Sequence, residues 1–312
     1  MTPVLAEVVR GGTVESVHAG SVVALASDGA VLLAVGDVDA PVYPRSSLKP
    51  LQAVAMLRAG LDLEGQLLAI AQASHSGTPA HLALVTRILA GAGLGADALR
   101  NTPDLPLDAA ASQAWLRGGG EAGALTQNCS GKHAAMLATC VGRGWPTAGY
   151  LDPASALQQG VRATIAELCA EPAVDATTDG CGAPLWAVSL TGLARAFSTL
   201  VHAEPGTPER RVADAGRAHP EVVGGPGRDV TQLMQRVPGL LAKDGAEGVY
   251  AVALPDGTAV ALKIADGAAR ARVPVLLEAL RLLWTEVDGE AFAVPVLGGG
   301  RPVGLVRALP LR

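Results

Sequence analysis

The sequence lacks the signals of three broad classes of protein. It has no basic cluster with interleaved aromatics, aromatic residues make up only 3% of the chain, and the net charge is −5, so nucleic acid is not expected as a partner. No stretch approaches the ~20 consecutive apolar residues that cross a bilayer, and no basic segment precedes an apolar run at the N-terminus. Four scattered cysteines are too few for a secreted disulfide framework. We therefore expect a cytoplasmic protein with no membrane partner.

Lysine is scarce. Of the 24 basic residues only Lys49, Lys132, Lys243 and Lys263 are lysines, and the others are arginines. Arginine cannot be deprotonated in a protein, so it cannot serve as a proton acceptor. A chain that uses arginine for most positive charges is expected to keep lysine where such chemistry is needed.

Strand-like alternation at both ends of the chain encloses a helical middle. Strands are predicted within residues 3–36 and 247–265, with hairpin turns at Asp28-Gly29 and Asp256-Gly257. Apolar spacing predicts helices between about 46 and 238, namely at 64–73, 79–92, 108–117, 131–142, 153–170, 185–202 and 208–219. A helix at 268–285 and a short apolar segment at 294–307 follow. This pattern predicts one α+β domain over residues 1–312, a mixed antiparallel sheet of N- and C-terminal strands beneath a helical layer.

The first candidate for chemistry is the segment PRSSLKP at residues 44–50. Pro44 favours extended backbone and Pro50 fits only the first turn of a helix, so Ser46 is predicted to be the N-cap. Residues three apart share a helix face, which brings the Lys49 amine within reach of the Ser46 hydroxyl. A serine beside a neutral amine is an activated nucleophile, although a capping serine and a surface lysine would give the same pattern.

Three loops and one strand carry further candidates. Two serines and two histidines lie at 73–81, where Ser, Gly, Thr and Pro are also ordinary helix punctuation. Cys129 and Cys181 lie in polar loops, whereas the other two cysteines lie inside predicted helices, so a zinc site or a redox pair is a hypothesis. Lys263 alternates with apolar strand residues, and it is either solvated or turned towards Ser46.

Six segments together resemble the rhizobial-type (class 3) L-asparaginases of the L-asparaginase II family. They are PRSSLKP at 44–50, ASHSGTPAH at 73–81, QNCSGKHAAML at 127–137, TDGCGAP at 178–184, HPEVVGGPGR at 219–228 and LKIADG at 262–267. The fold of that family is similar to those of the serine β-lactamases and penicillin-binding proteins. The resemblance covers most of the chain in order.

The resemblance implies hydrolysis of L-asparagine by two Ser-Lys pairs. The first pair would be Ser46 with Lys49, and the second Ser74 or Ser76 with Lys263, Ser74 being favoured. It also implies a zinc ion held by Cys129, Lys132 and Cys181, with Asp179 near the metal-bound water or the substrate. We expect a homodimer, in which the charged ends of the substrate are held by Arg45, His75, Asp179 and the glycine-rich loop that contains Gly225.

Two other functions remain as alternatives. A glutaminase or another β-lactamase-like serine hydrolase would share the S-x-x-K segment. A non-enzymatic, zinc-stabilised binding protein would use its cysteines structurally and its serines only as caps.

Overall fold

The N- and C-terminal strands pair at the centre of one antiparallel sheet. The computed structural model describes residues 2–283 and 287–311, and in it Ala6 lies opposite Ala308. The strand order is β6-β7-β8-β2-β1-β10-β9, β3 also pairs with β2, and β4 and β5 form a separate hairpin. The strands are β1 Val4–Arg10, β2 Thr13–Leu25, β3 Val31–Val35, β4 Val174–Thr178, β5 Pro184–Ala187, β6 Leu241–Asp244, β7 Val249–Ala253, β8 Ala259–Ile264, β9 Val294–Gly298 and β10 Arg301–Ala308.

Helices fill the middle of the chain and cover the sheet. Because β7 is buried along its whole length, both faces of the sheet are covered there. Helix α7 packs against β2, β7 and β8, and α11 packs against β1, β7, β8 and β10. The helices are α1 Lys49–Arg58, α2 Gly65–Ala71, α3 Pro79–Gly91, α4 Ala109–Arg117, α5 Ser130–Arg143, α6 Ala156–Cys169, α7 Leu190–His202, α8 Pro208–Ala218, α9 Pro220–Val223, α10 Asp229–Arg236 and α11 Arg272–Leu282.

The predicted α+β class, with terminal strands pairing and a helical middle, is confirmed. The predicted helix at 185–202 is wrong in its first part, because residues 184–187 form β5 and the helix begins at Leu190. A short, fully buried apolar run has no periodicity that separates strand from helix. Strands β4 and β6 were not predicted, and the last two residues of the helix predicted at 268–285 lie outside the described ranges.

The prediction that Ser46 caps a helix is also wrong. Residues 45–48 form a 3₁₀ turn, α1 begins at Lys49, and Leu48 occupies the N-cap position. Pro44 has helical rather than extended backbone angles, and Arg45 has a φ of 55°, a left-handed conformation that non-glycine residues seldom adopt. Ser46 therefore sits inside a tight turn, with Pro50 in the first turn of α1 as predicted.

No helix in residues 2–283 and 287–311 is long and apolar enough to cross a membrane. The assignment of a single domain to residues 1–312 stays a prediction.

Two glycines of α5 provide a matched test of this packing. A Cβ atom at Gly131 would lie 2.3 Å from the Ile70 carbonyl oxygen, whereas one at Gly142 would meet nothing within 4 Å. We expect Gly131→Ala to lower the free energy of unfolding by about 1–3 kcal/mol through overpacking. Gly142→Ala should raise it by up to about 1 kcal/mol, since alanine favours the helix. Urea unfolding measures both, and equal effects would contradict the close approach of α2 and α5.

Candidate active site

The Lys49 amine is bonded to Ser74 in the interior. Its Nζ donates to Ser74 Oγ at 2.9 Å and to the Ala73 carbonyl at 2.7 Å. Lys49 is 1% exposed and Ser74 3%, so water does not compete for these bonds. Ser46, one turn before Lys49, is only half-buried. The structure thus joins Lys49, which was predicted to pair with Ser46, to a serine of the second predicted pair.

A second buried lysine lies in an ionic network that reaches Ser74. Lys243 Nζ donates to Asp244 Oδ1 at 2.7 Å, and Arg228 bridges Asp244 Oδ2 at 2.5 Å and the Ser74 carbonyl at 2.6 Å. Although burial would raise the pKa of Asp244, the Lys243 and Arg228 charges hold it well below its ordinary value. Burial, opposed by Asp244 and assisted by the charge of Lys49, lowers the pKa of Lys243 to about 8.

Sequence reasoning assigned Lys243 no role. Only its membership of the four lysines could have singled it out, because β6 was not predicted and LLAKD gives no motif. The edge strand β6 places Lys243 opposite Ala251, and the Ser47 hydroxyl donates to the Lys243 carbonyl at 3.2 Å. This bond fixes the turn that carries Ser46 against β6.

The predicted pairing of Lys263 with Ser74 or Ser76 is not formed within the described residues. Lys263 Nζ donates to the Ile264 carbonyl at 2.6 Å. In β8, Lys263 lies opposite Ser21 of β2 and Val249 of β7. Two residues earlier in the same strand, Ala261 lies opposite Ala251 of β7, which in turn lies opposite Lys243 of β6. Residues two apart on a strand point to the same face of the sheet, so Lys243 and Lys263 lie on one face. The strand register, however, places Lys263 two residues further along the strand direction than Lys243.

The other residues of the 73–81 loop use their polar atoms internally. Ser76 Oγ donates to the Gly224 carbonyl at 3.1 Å. A Cβ atom at Gly225 would lie 2.0 Å from Ser76 Oγ. Gly225 therefore makes room for Ser76. The Gly77 N–H donates to His75 Nδ1, so Nε2 carries the proton and donates to Ser130 Oγ at 2.9 Å. Burial holds the pKa of His75 well below its ordinary value, so the ring is neutral.

Arg45 and Asp179 meet across the gap between α1 and the β4–β5 hairpin. Arg45 Nε donates to Asp179 Oδ1 at 2.7 Å, and the Gly180 N–H donates to the same oxygen at 2.8 Å. Although burial would raise the pKa of Asp179, the charges of Lys132 and Arg45 lower it, so the carboxylate is ionised. Arg45 and Asp179, two of the residues predicted to hold the charged ends of the substrate, thus lie side by side.

The structure brings Cys129, Lys132 and Cys181 together. Lys132 Nζ lies 3.2 Å from Cys181 Sγ, and Asp179 Oδ2 lies 3.8 Å from the same sulfur. All four cysteines are free thiols. Within residues 2–283 and 287–311 no set of three or more His, Cys, Asp and Glu side chains is arranged to hold a metal, so a metal site at this cluster depends on Lys132 as a ligand.

The protonation states of Cys129, Cys181 and Lys132 determine whether this cluster can hold a metal. A hydrogen bond from Cys181 lowers the pKa of Cys129 and raises that of Cys181, so the two thiols share one proton. Burial would lower the pKa of Lys132, but the negative charge shared by the Cys181 and Cys129 sulfurs raises it. Two soft sulfur donors beside an amine fit zinc chemically, provided that the metal displaces the lysine proton.

Comparison with known proteins identifies the family. The sequence model of L-asparaginase II matches residues 6–308, nearly the whole chain. The chain belongs to the L-asparaginase II family. No curated protein sequence matches the chain.

Solved structures resemble this member of the family distantly. Mglu in its native form has 15% identity to this chain and a TM-score of 0.46. The match covers 86% of this chain and 66% of the Mglu chain, and in two other Mglu structures it covers 62% of the Mglu chain. A putative β-lactamase from Bacteroides dorei has 17% identity and a TM-score of 0.42, covering 78% and 84%. A β-lactamase from Mycobacterium bovis has 15% identity and a TM-score of 0.39, covering 80% and 88%. Because these scores lie below 0.5, they support no conclusion about activity.

The lowered pKa of the buried Lys243 amine should make the free energy of unfolding depend on pH. Its pKa is about 8 when folded and 10.5 when unfolded, so between these values the unfolded chain binds a proton that the folded chain has lost. The free energy of unfolding should therefore rise with pH across this window, by up to about 3 kcal/mol from this group. Urea unfolding at about pH 7.5 and about pH 10 should show the rise in the wild type and a smaller rise in Lys243→Met. Identical pH dependences would contradict a displaced Lys243 pKa.

Proposed function

We propose that the protein hydrolyses L-asparagine to L-aspartate and ammonia through a serine activated by lysine. The observation that carries this proposal is the buried hydrogen bond of 2.9 Å between Lys49 Nζ and Ser74 Oγ, since Lys49 is only three residues after Ser46. Membership of the L-asparaginase II family supports the choice of substrate.

In this proposal Ser46 is the nucleophile and Lys49 its base. Ser46 is half-buried and so remains accessible to substrate, whereas Ser74 is nearly inaccessible. A neutral amine has two N–H groups and one lone pair. If Lys49 is neutral when the substrate binds, its two N–H groups can donate to Ala73 and Ser74, and its lone pair would accept the Ser46 proton.

Ser74 then relays the proton. Ser46 Oγ bonds to the side-chain amide carbon, and its proton passes to Lys49 and through the Ser74 hydroxyl to the amide nitrogen, which leaves as ammonia when the C–N bond breaks. Water hydrolyses the resulting ester, yields L-aspartate and restores Ser46. The first N–H groups of a helical turn have no intrahelical acceptor, so the Ser46 backbone is a candidate donor to the oxyanion.

Zinc is part of the proposal, with Cys129, Lys132 and Cys181 as the residues that would hold it. Bound there, the metal would act as a Lewis acid or orient the substrate. The residues of this chain fit it by donor type, because two buried thiols and an amine converge beside the ionised Asp179.

The serines of the 73–81 loop provide a matched pair for testing the relay. We expect Ser74→Ala to lower kcat by about 10²–10⁴-fold, because its hydroxyl carries the proton. Ser76→Ala should stay within about threefold of the wild type, since the Ser76 hydroxyl bonds only to the Gly224 carbonyl in the part of the chain that the structure describes. Ammonia release from L-asparagine and L-glutamine, measured side by side, tests both the relay and the substrate. Equal activities for the two variants would exclude Ser74 as the relay, and faster release from L-glutamine would contradict the substrate assignment.

Metal content tests the second part of the proposal without relying on activity. We expect about one zinc per chain in the wild type and less than about a tenth of this in Cys181→Ala and Lys132→Arg, because loss of one ligand of three removes most of the affinity. Cys140→Ala is the control, since Cys140 is buried within α5. Elemental analysis of protein produced with zinc supplied gives the answer, and a wild type without zinc would contradict the site.

A further inference from the structure

A cavity of about 470 Å³ opens beside the turn that carries Ser46. This volume lies within the range of ~300–1,000 Å³ typical of small-molecule sites. Apolar side chains form part of the wall, and the polar side chains that line it include Arg45, Glu247 and Lys263. Arg45, which lines the cavity, is the residue directly before the proposed nucleophile Ser46.

The charges along this cavity alternate in sign. Arg45 Nε bonds to Asp179 at 2.7 Å on one side, and Arg45 Nη1 lies 4.0 Å from Glu247 Oε1 on the other. Lys263 lines the same cavity; burial lowers the pKa of its amine, and the charges of Glu247 and Asp266 oppose this shift. Of the three charged side chains that line the cavity, Arg45 and Lys263 are positive and Glu247 is negative, and Asp179 pairs with Arg45 beside it. Such a surface complements a molecule that itself carries a positive and a negative charge.

Two of these residues are held by unusual backbone. Arg45 has a φ of 55° and Glu247 a φ of 59°, both in the left-handed region. Non-glycine residues in that region cluster at functional sites, where the surrounding structure maintains them. The Glu247 carboxylate also covers Gly267, where a Cβ would lie 2.5 Å from Oε2. The positions of both charged side chains are thus set by local backbone geometry on two separate segments.

We propose that Glu247 and Lys263 bind the α-ammonium and α-carboxylate groups of a free amino acid, with Arg45 between them. This inference rests on the proposed function and extends it: the cavity selects free amino acids over chains or derivatives whose α-groups are blocked. Lys263 is then a specificity residue rather than a member of a second Ser-Lys pair. Among residues 2–283 and 287–311, the Lys263 amine donates to the Ile264 carbonyl alone, which leaves its remaining N–H groups for the ligand.

Selectivity among three amides tests this assignment. The substrates are L-asparagine, Nα-acetyl-L-asparagine, which lacks the α-ammonium, and L-aspartic acid diamide, which lacks the α-carboxylate. For L-asparagine we expect Glu247→Gln and Lys263→Met to raise KM about tenfold or more, with kcat within about threefold, because each removes one charged contact. Glu15→Gln, on the surface end of β2, is the control.

The pattern across substrates separates recognition from a structural role. Glu247→Gln should reduce the preference for L-asparagine over Nα-acetyl-L-asparagine but not over the diamide. Lys263→Met should reduce the preference for L-asparagine over the diamide but not over Nα-acetyl-L-asparagine. Equal losses for all three substrates, or unchanged selectivity, would overturn the inference while leaving the proposed function intact. If the wild type hydrolyses none of the three substrates, the proposed function fails, and the inference is then tested by calorimetric binding of L-aspartate. It is overturned as well if the wild type and the variants bind L-aspartate with equal affinity, or if none of them binds it.

Discussion

The site depends on one amine held away from water, that of Lys49. An unpaired amine in the interior is costly, so the surrounding chain must supply acceptors at fixed positions. The acceptors come from Ala73 and Ser74, in the loop between α2 and α3. The loop is itself tied down, because the Ser74 N–H donates to the Val223 carbonyl and the His75 N–H to the Asn128 carbonyl. The ends of α1, α2, α5 and α9 are therefore joined around a single lysine.

A second set of charges holds the other side of Ser74. Arg228 joins the Ser74 carbonyl to Asp244, and Asp244 in turn holds Lys243. Arg272 donates to the Gly245 carbonyl at 2.8 Å and lies over the ring of Tyr250. Removing one partner from such a network leaves a buried charge uncompensated, which is more costly than the net gain from the intact pair. The glycine-rich loop 224–228 thus contributes to the site by fixing the serine, through Arg228.

The sequence predicted the fold better than the partners of each side chain. Helix boundaries in the middle of the chain follow apolar periodicity and hairpins follow Asp-Gly turns, both of which are local signals. Pairing of lysines with serines depends on strand register and on loops brought from distant segments. Lys243 and Lys263 illustrate this limit, because both are strand lysines on one face and only the register of β6, β7 and β8 separates them. Nor does any local pattern predict that Arg45 adopts a positive φ and converts an expected N-cap into a 3₁₀ turn.

The scarcity of lysine has a physical explanation in the structure. Lys49, Lys132 and Lys243 are each at most 1% exposed, whereas the arginines near them use their forked guanidinium groups to bridge a carboxylate and a backbone carbonyl, as Arg228 does. A guanidinium could not replace these amines, because it is larger and offers no lone pair. Lys263 differs, since it is partly exposed and lines a cavity with Glu247. Lysine in this chain therefore marks positions where a compact amine is required, and the surroundings of each amine differ: Lys49 bonds to a serine, Lys132 lies beside a thiol and Lys263 lines a cavity.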